Sequence, residues 1–225
     1  MKGRIVTAAE SDRLHRKASR GDVRALTALA YMYRYGSGVV QNKPLAFQYH
    51  LRAASLGDSE AAFNVGDMYD AGEGVRRNRR RALAYYTIAA RHGHADAMAS
   101  IGAMYWYGEG VKRNRKTAIS FYRKAARLGS PDALNNLAQA CRLGEGVDRS
   151  PRRAFSYFVE AAKRGHVRSE FRAGEAYLFG IGSSPDRIKG LRWLRKAASD
   201  GDPDAQVLLD NLEVGSSVAR ARKAK

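Results

Sequence analysis

Glycine stands at Gly21, Gly57, Gly93, Gly129, Gly165 and Gly201, an unbroken spacing of 36 residues. A Gly-x-Gly keeps the same register at Gly36/Gly38, Gly72/Gly74, Gly108/Gly110, Gly144/Gly146 and Gly180/Gly182. A fixed period of this size marks a stack of one supersecondary unit, because a single copy has too little apolar surface to fold alone. A chain built this way offers an extended binding surface in place of a closed catalytic pocket.

Within one period the apolar residues recur at helical spacing. Ala25, Leu29, Met32 and Tyr33 form one stripe, and Ala46, Phe47, His50, Ala53 and Ala54 form a second. Each repeat therefore reads as a helix pair, the first helix running over about residues 22–35 and ending at Gly36, where a left-handed C-cap suits glycine. Asn42, Asn78, Asn114 and Ser150 sit where a side-chain oxygen caps the second helix, and Pro44 and Pro151 fall in its first turn. The core is written in columns: Tyr33, Tyr69, Tyr105, Cys141, Tyr177; then Tyr49, Tyr85, Phe121, Tyr157, Trp193; then alanine pairs from Ala53-Ala54 to Ala197-Ala198.

The phased string Ala61…Val65-Gly66…Tyr69…Gly72-Glu73-Gly74-Val75…Ala82…Tyr85…Ala89-Ala90…Gly93 resembles the Sel-one-like repeat, a relative of the tetratricopeptide repeat with a longer period and a Gly-x-Gly loop. The resemblance covers roughly residues 21–213. It implies an all-α, right-handed superhelical solenoid of five helix-turn-helix repeats, acting as an adaptor or scaffold in protein complexes, with no cofactor. The fifth copy drifts most, with Ile181 inside the Gly-x-Gly, Ser183 where valine is usual, Gly190 for the helix alanine and Pro185-Asp186 at the cap. Cysteine-rich secreted relatives carry two cysteines per repeat; this chain has only Cys141, so their properties do not transfer.

The domain reading is a capping helix over 1–20, with Leu14 and Ala18 in register with His50 and Ala54, then the solenoid over 21–213 with a terminal helix at 201–213. A basic disordered tail over 214–225 follows. One cysteine, no apolar run of membrane-spanning length and no secretory N-terminus give a cytoplasmic expectation.

Charge is the second constraint. Forty Lys and Arg against 22 Asp and Glu leave +18, and the excess is phased with the repeat. Arg76, Arg77, Arg79, Arg80 and Arg81 flank one second-helix start, Lys112, Arg113, Arg115 and Lys116 the next, and Arg152 and Arg153 continue the series. Cations in a first helical turn oppose the helix dipole at a cost of a few tenths of a kcal/mol each, so folding does not account for them. They are expected to form a basic ridge for an acidic protein surface or peptide, the open N–H groups beside them helping to cradle an anion. A nucleic-acid partner is the alternative use of the ridge, and an immunity or chaperone-like role towards a toxin or effector is a more distant one.

First helices of tetratricopeptide-type solenoids line the concave face, which makes Phe63, Asn64, Asp67, Ser100, Asn136 and Phe171 candidate partner contacts, Asn64 and Asn136 as amides for a peptide backbone. Trp106 and Tyr107, with Tyr35 and Phe179, are candidate exposed aromatic anchors. His92 and His94 lack the companions of a metal site, Gly-x-Gly follows a helix and lacks a phosphate loop's further glycine, and Cys141 has no activating histidine in its motif. The sequence predicts no enzymatic activity, no metal and no cofactor; it leaves oligomeric state open.

Overall fold

The computed structural model describes residues 8–212; the proposed basic tail lies outside them. All regular structure among the described residues is α-helical: α1 (Ala8–Ser19), α2 (Val23–Tyr35), α3 (Lys43–Ser55), α4 (Ser59–Ala71), α5 (Arg79–Arg91), α6 (Ala95–Tyr107), α7 (Arg115–Arg127), α8 (Pro131–Leu143), α9 (Pro151–Lys163), α10 (Val167–Phe179), α11 (Arg187–Ser199) and α12, 203–212. The fold is the five-repeat α-solenoid class, each repeat a helix pair. Two compact units divide between Phe121 and Tyr122, inside α7, at a point no sequence feature marks.

Helix ends follow the period. Asn42, Asn78, Asn114 and Ser150 each accept a hydrogen bond from the backbone N–H three residues on, at 3.0, 3.0, 3.0 and 3.3 Å. The first helices α2, α4, α6, α8 and α10 each end on a glycine with left-handed backbone, Gly36 at φ 71° among them. The loops after α4, α6 and α10 pack against the repeat before them. At Gly74, φ is 70° and a Cβ would collide with the Lys43 carbonyl, so both conformation and space demand glycine there.

In the first unit the two aromatic columns stack on each other repeat by repeat: Tyr33 on Tyr49 at 5.8 Å, Tyr69 on Tyr85 at 5.7 Å and Tyr105 on Phe121 at 6.0 Å. Alanines at 46, 62, 82, 89 and 97 are fully buried around Val65, Met68 and Ile101, which lets neighbouring helices approach closely. Ala18 of α1 is buried with Leu26, Leu29 and Ala53, and Leu14 packs beside them. In the second unit, Phe158 and Cys141 share a core with Ala138 and Ala154, while Phe171, Leu194, Ala205 and Leu209 join α10, α11 and α12. The Cys141 thiol is buried and burial raises its pKa, leaving it protonated and unreactive at neutral pH.

Candidate protein-binding surface

The basic residues of the first unit divide into two sets. Arg79 is half-buried, its guanidinium 3.3 Å from Asp70 and 2.7 Å from Glu109. Arg77 Nε donates to the Asp70 carbonyl at 2.6 Å, Arg81 donates to the Tyr69 hydroxyl at 3.2 Å, and Arg115 lies over the Trp106 ring at 5.1 Å. These cations tie helix starts to neighbouring helices and loops. Arg76, Arg80, Lys112, Arg113 and Lys116 are exposed and have no charged or hydrogen-bonding partner among the described residues.

The two clusters adjoin, because the loop after α6 rests on the start of α5; a Cβ on Gly110 would lie 2.9 Å from Arg79 Cβ. At both helix starts one N–H group expected to face an anion is already taken, by Asn78 at Arg81 and by Asn114 at Thr117. The cradle is thus narrower than its charge suggests. In the second unit Arg152 and Arg153 are exposed, with Arg153 donating to the Asp148 carbonyl at 3.1 Å.

The first-helix candidates separate by burial. Asn64 is buried and its amide is spent internally: Oδ1 accepts from Arg34 at 3.0 Å while Nδ2 donates to the Glu60 carbonyl at 2.9 Å. It therefore has no free face for a partner's backbone. Phe171 is buried under two guanidiniums, those of Arg168 at 4.9 Å and Arg172 at 5.1 Å, so it too belongs to the interior. Phe63 is half-buried and stacks on His94 at 4.5 Å. Asp67 accepts from the Tyr86 hydroxyl at 2.8 Å, and burial raises its carboxyl pKa. Ser100, Asn136 and Trp106 are half-buried.

Tyr107 stands clear, 69% exposed at the end of α6, where the loop bearing Lys112 and Arg113 begins. Its register holds an apolar residue in every repeat: Tyr35 at 61% in the first unit, and Leu143 at 51% and Phe179 at 58% in the second, with Ala71 also exposed. Sequence reasoning found three of these but missed Leu143. An aliphatic residue looks like core until its position is read down the column.

His94, which the sequence leaves without metal-site companions, has a structural role. It is the N-cap of α6, with Nδ1 accepting from the Ala97 N–H at 3.2 Å and Nε2 3.0 Å from Glu60, and His166 does the same for α10 at Ser169. The period holds the signal, since the same register carries Asp22, Asp58, Ser130 and Asp202. Among the described residues no group of three or more His, Cys, Asp or Glu side chains is placed to hold a metal ion, and no helix is long and apolar enough to cross a membrane.

The family profile described as Sel1 repeat matches at residues 23–58, 59–94, 95–130, 131–166 and 167–202. The chain belongs to the Sel1 repeat family. Among solved structures it is similar to c5321, a protective antigen of uropathogenic Escherichia coli with an SLR fold, at TM-score 0.79 and 29% identity, over 88% of this chain and 42% of that one. The chain thus spans less than half the length of that protein. A Sel1 repeat protein of Oxalobacter formigenes matches at TM-score 0.76 and 29% identity, over 89% and 82% of the two chains. The immunity protein PA5088 of Pseudomonas aeruginosa shares the fold at TM-score 0.61 and 22% identity, over 86% and 74%. No curated protein matches. Sel1 repeat proteins generally mediate protein–protein interaction, and the scaffold is generally non-enzymatic.

Proposed function

We propose that this chain is a non-enzymatic scaffold that engages an acidic protein surface through the basic loop edge of its first unit. The observation that supports this reading most is the set of five exposed cations without partners among the described residues, on two adjoining loops and the helix starts that follow them, with the exposed Tyr107 at the head of the second loop. The cations speed encounter and set salt sensitivity, while the aromatic row supplies desolvated contact area. An immunity-type role is a special case of the same reading, with an acidic toxin surface as the partner.

The test is charge reversal of the exposed set alone, Arg76→Glu and Arg80→Glu with Lys112→Glu, Arg113→Glu and Lys116→Glu, leaving the structural Arg79 and Arg115 in place. The partner is captured from native lysate with and without nuclease, purified, and its association rate measured across a salt series. The reading expects an association rate that falls with salt and falls at least about tenfold in the variant. Unchanged rates, or material that disappears with nuclease, overturn it; the second result assigns the edge to nucleic acid.

A further inference from the structure

The polar residues joining consecutive repeats change character along the chain. Between the first two repeats, Arg34 donates to Glu73 at 2.8 Å and to Asn64 at 3.0 Å, and Lys43 reaches the other Glu73 oxygen at 3.1 Å. Burial opposes ionisation of Glu73, but these two cations hold its pKa below the ordinary value. Three periods on, within the second unit, the same four registers hold Arg142 for Arg34, Arg172 for Asn64, Ile181 for Glu73 and Pro151 for Lys43. The carboxylate has become isoleucine, one of its cations proline, and the amide a second guanidinium.

In place of a filled junction there is a cavity of about 270 Å³, lined by these four residues together with Arg149, Glu175 and the rings of Phe155 and Phe158. Glu175 is its one acidic residue and already accepts from Arg172 at 2.6 Å. Arg142 gives its Nε to the neutral Gln139 at 2.9 Å, and neither Arg142 nor Arg149 has a carboxylate partner among the described residues. Arg172 Nε is buried with no hydrogen-bond partner among the described residues, a donor whose desolvation no hydrogen bond offsets. Three guanidiniums against one carboxylate therefore meet an aromatic wall.

We propose that this cavity binds a carboxylate carried on an apolar body, either the C-terminal residue of a peptide or a free organic acid of that size. The ligand's carboxylate takes the part that Glu73 plays for Arg34, satisfying Arg142, and its hydrocarbon covers Phe155 and Ile181. Guanidinium forks match carboxylate and phosphate alike, but the apolar wall and a volume below the roughly 300–1,000 Å³ of drug-sized sites favour a small carboxylate with hydrocarbon attached. The site shares no residue with the basic loop edge, so it stands or falls separately from the scaffold reading.

The test is calorimetric titration of the full chain with three probes: a short peptide ending in a free phenylalanine carboxylate, the same peptide amidated, and phenylpropionate. Amidation is expected to weaken binding about tenfold or more. Arg142→Gln should weaken the acid probes similarly. Ile181→Glu restores the carboxylate seen at the first junction and should abolish binding. Because Ile181 is half exposed, that variant is expected to keep or raise the parent's unfolding midpoint. Binding of phenylpropionate as tight as the peptide assigns a free acid, and binding of the peptide alone assigns a chain terminus. Equal binding of acid and amide, no binding of either acid probe, or an Ile181→Glu variant that binds like the parent overturns the proposal.

Discussion

Arg79 bridges two repeats: its guanidinium lies 2.7 Å from the carboxylate of Glu109 in the following Gly-x-Gly loop and 3.3 Å from Asp70 in the helix before it. Its neighbour Arg80 is exposed and has no such partner. Adjacent cations in one basic run thus have different work, and mutation separates them. Arg79→Ala should lower unfolding free energy by about 1 kcal/mol, the upper range for a partly exposed pair, whereas Arg80→Ala should stay within about 0.5 kcal/mol of the parent. Urea denaturation of both variants checks this, and equal losses would remove the distinction.

Gly74 and Gly57 both have positive φ, 70° and 91°, but a Cβ on Gly57 meets nothing within 4 Å, whereas one on Gly74 strikes the Lys43 carbonyl. Gly57→Ala should cost about 1–2 kcal/mol from backbone strain alone. Gly74→Ala should cost clearly more, because the loop must also lift off α3. Thermal unfolding of the pair is decisive, and a Gly74 variant no worse than the Gly57 variant would refute the steric argument.

His50 is fully buried with both ring nitrogens unpartnered, edge-on to Tyr31 at 5.4 Å. Burial first, and the nearby Arg34 charge second, bring its pKa down from 6.5 to about 4, against the weaker pull of Asp58 and Glu60. The unfolded chain takes up this proton as pH falls through 6.5, but the folded chain does not until about pH 4. Stability is therefore complete above pH 6.5 and lost between 6.5 and 4, by on the order of 3 kcal/mol. Asp67, whose raised pKa favours the protonated folded form, works oppositely at the acidic end. The readout is consequently the difference between parent and His50→Leu: the variant should lack the loss over this window, and parallel pH curves would sink the assignment.

Asn78 Oδ1 accepts from the Arg81 N–H at 3.0 Å and so caps a helix start crowded by five arginines. Asn78→Ala should cost about 1 kcal/mol. Asn78→Asp should cost nothing or stabilise the chain, since it keeps the acceptor and adds a charge that suits both the dipole and the arginines. Denaturation midpoints in that order are expected, and an aspartate variant weaker than the parent would contradict it.

Much of the fold was legible because the period repeats every cap and core column several times. Gly36, Asn42 and the Tyr33/Tyr49 pair each announce a position that later copies echo. The surface was less legible. Asn64 and Phe171 lie on outward registers of their helices, but Arg34, Arg168 and Arg172 cover them, and long guanidinium side chains reaching from neighbouring turns leave no periodic trace. Arg79 and Arg80 look alike in sequence because the carboxylates that tell them apart, Asp70 and Glu109, come from different elements.

The pairs Lys43–Glu73 and Arg79–Glu109 also give the stack a grammar. Each cation belongs to one repeat and its carboxylate to the next, so a repeat states at its trailing side what its successor must bring. The second repeat followed directly by the fifth would set Arg79 against Ile181 where Glu109 now stands, leaving only Asp70 of its own repeat to answer its charge. Copies inside the early run are interchangeable by this rule, while the fifth fits only behind the fourth, whose Pro151 makes no such demand. The order of the repeats thus leaves a trace in their seams, where a duplication or shuffle of copies keeps or loses a charge pair.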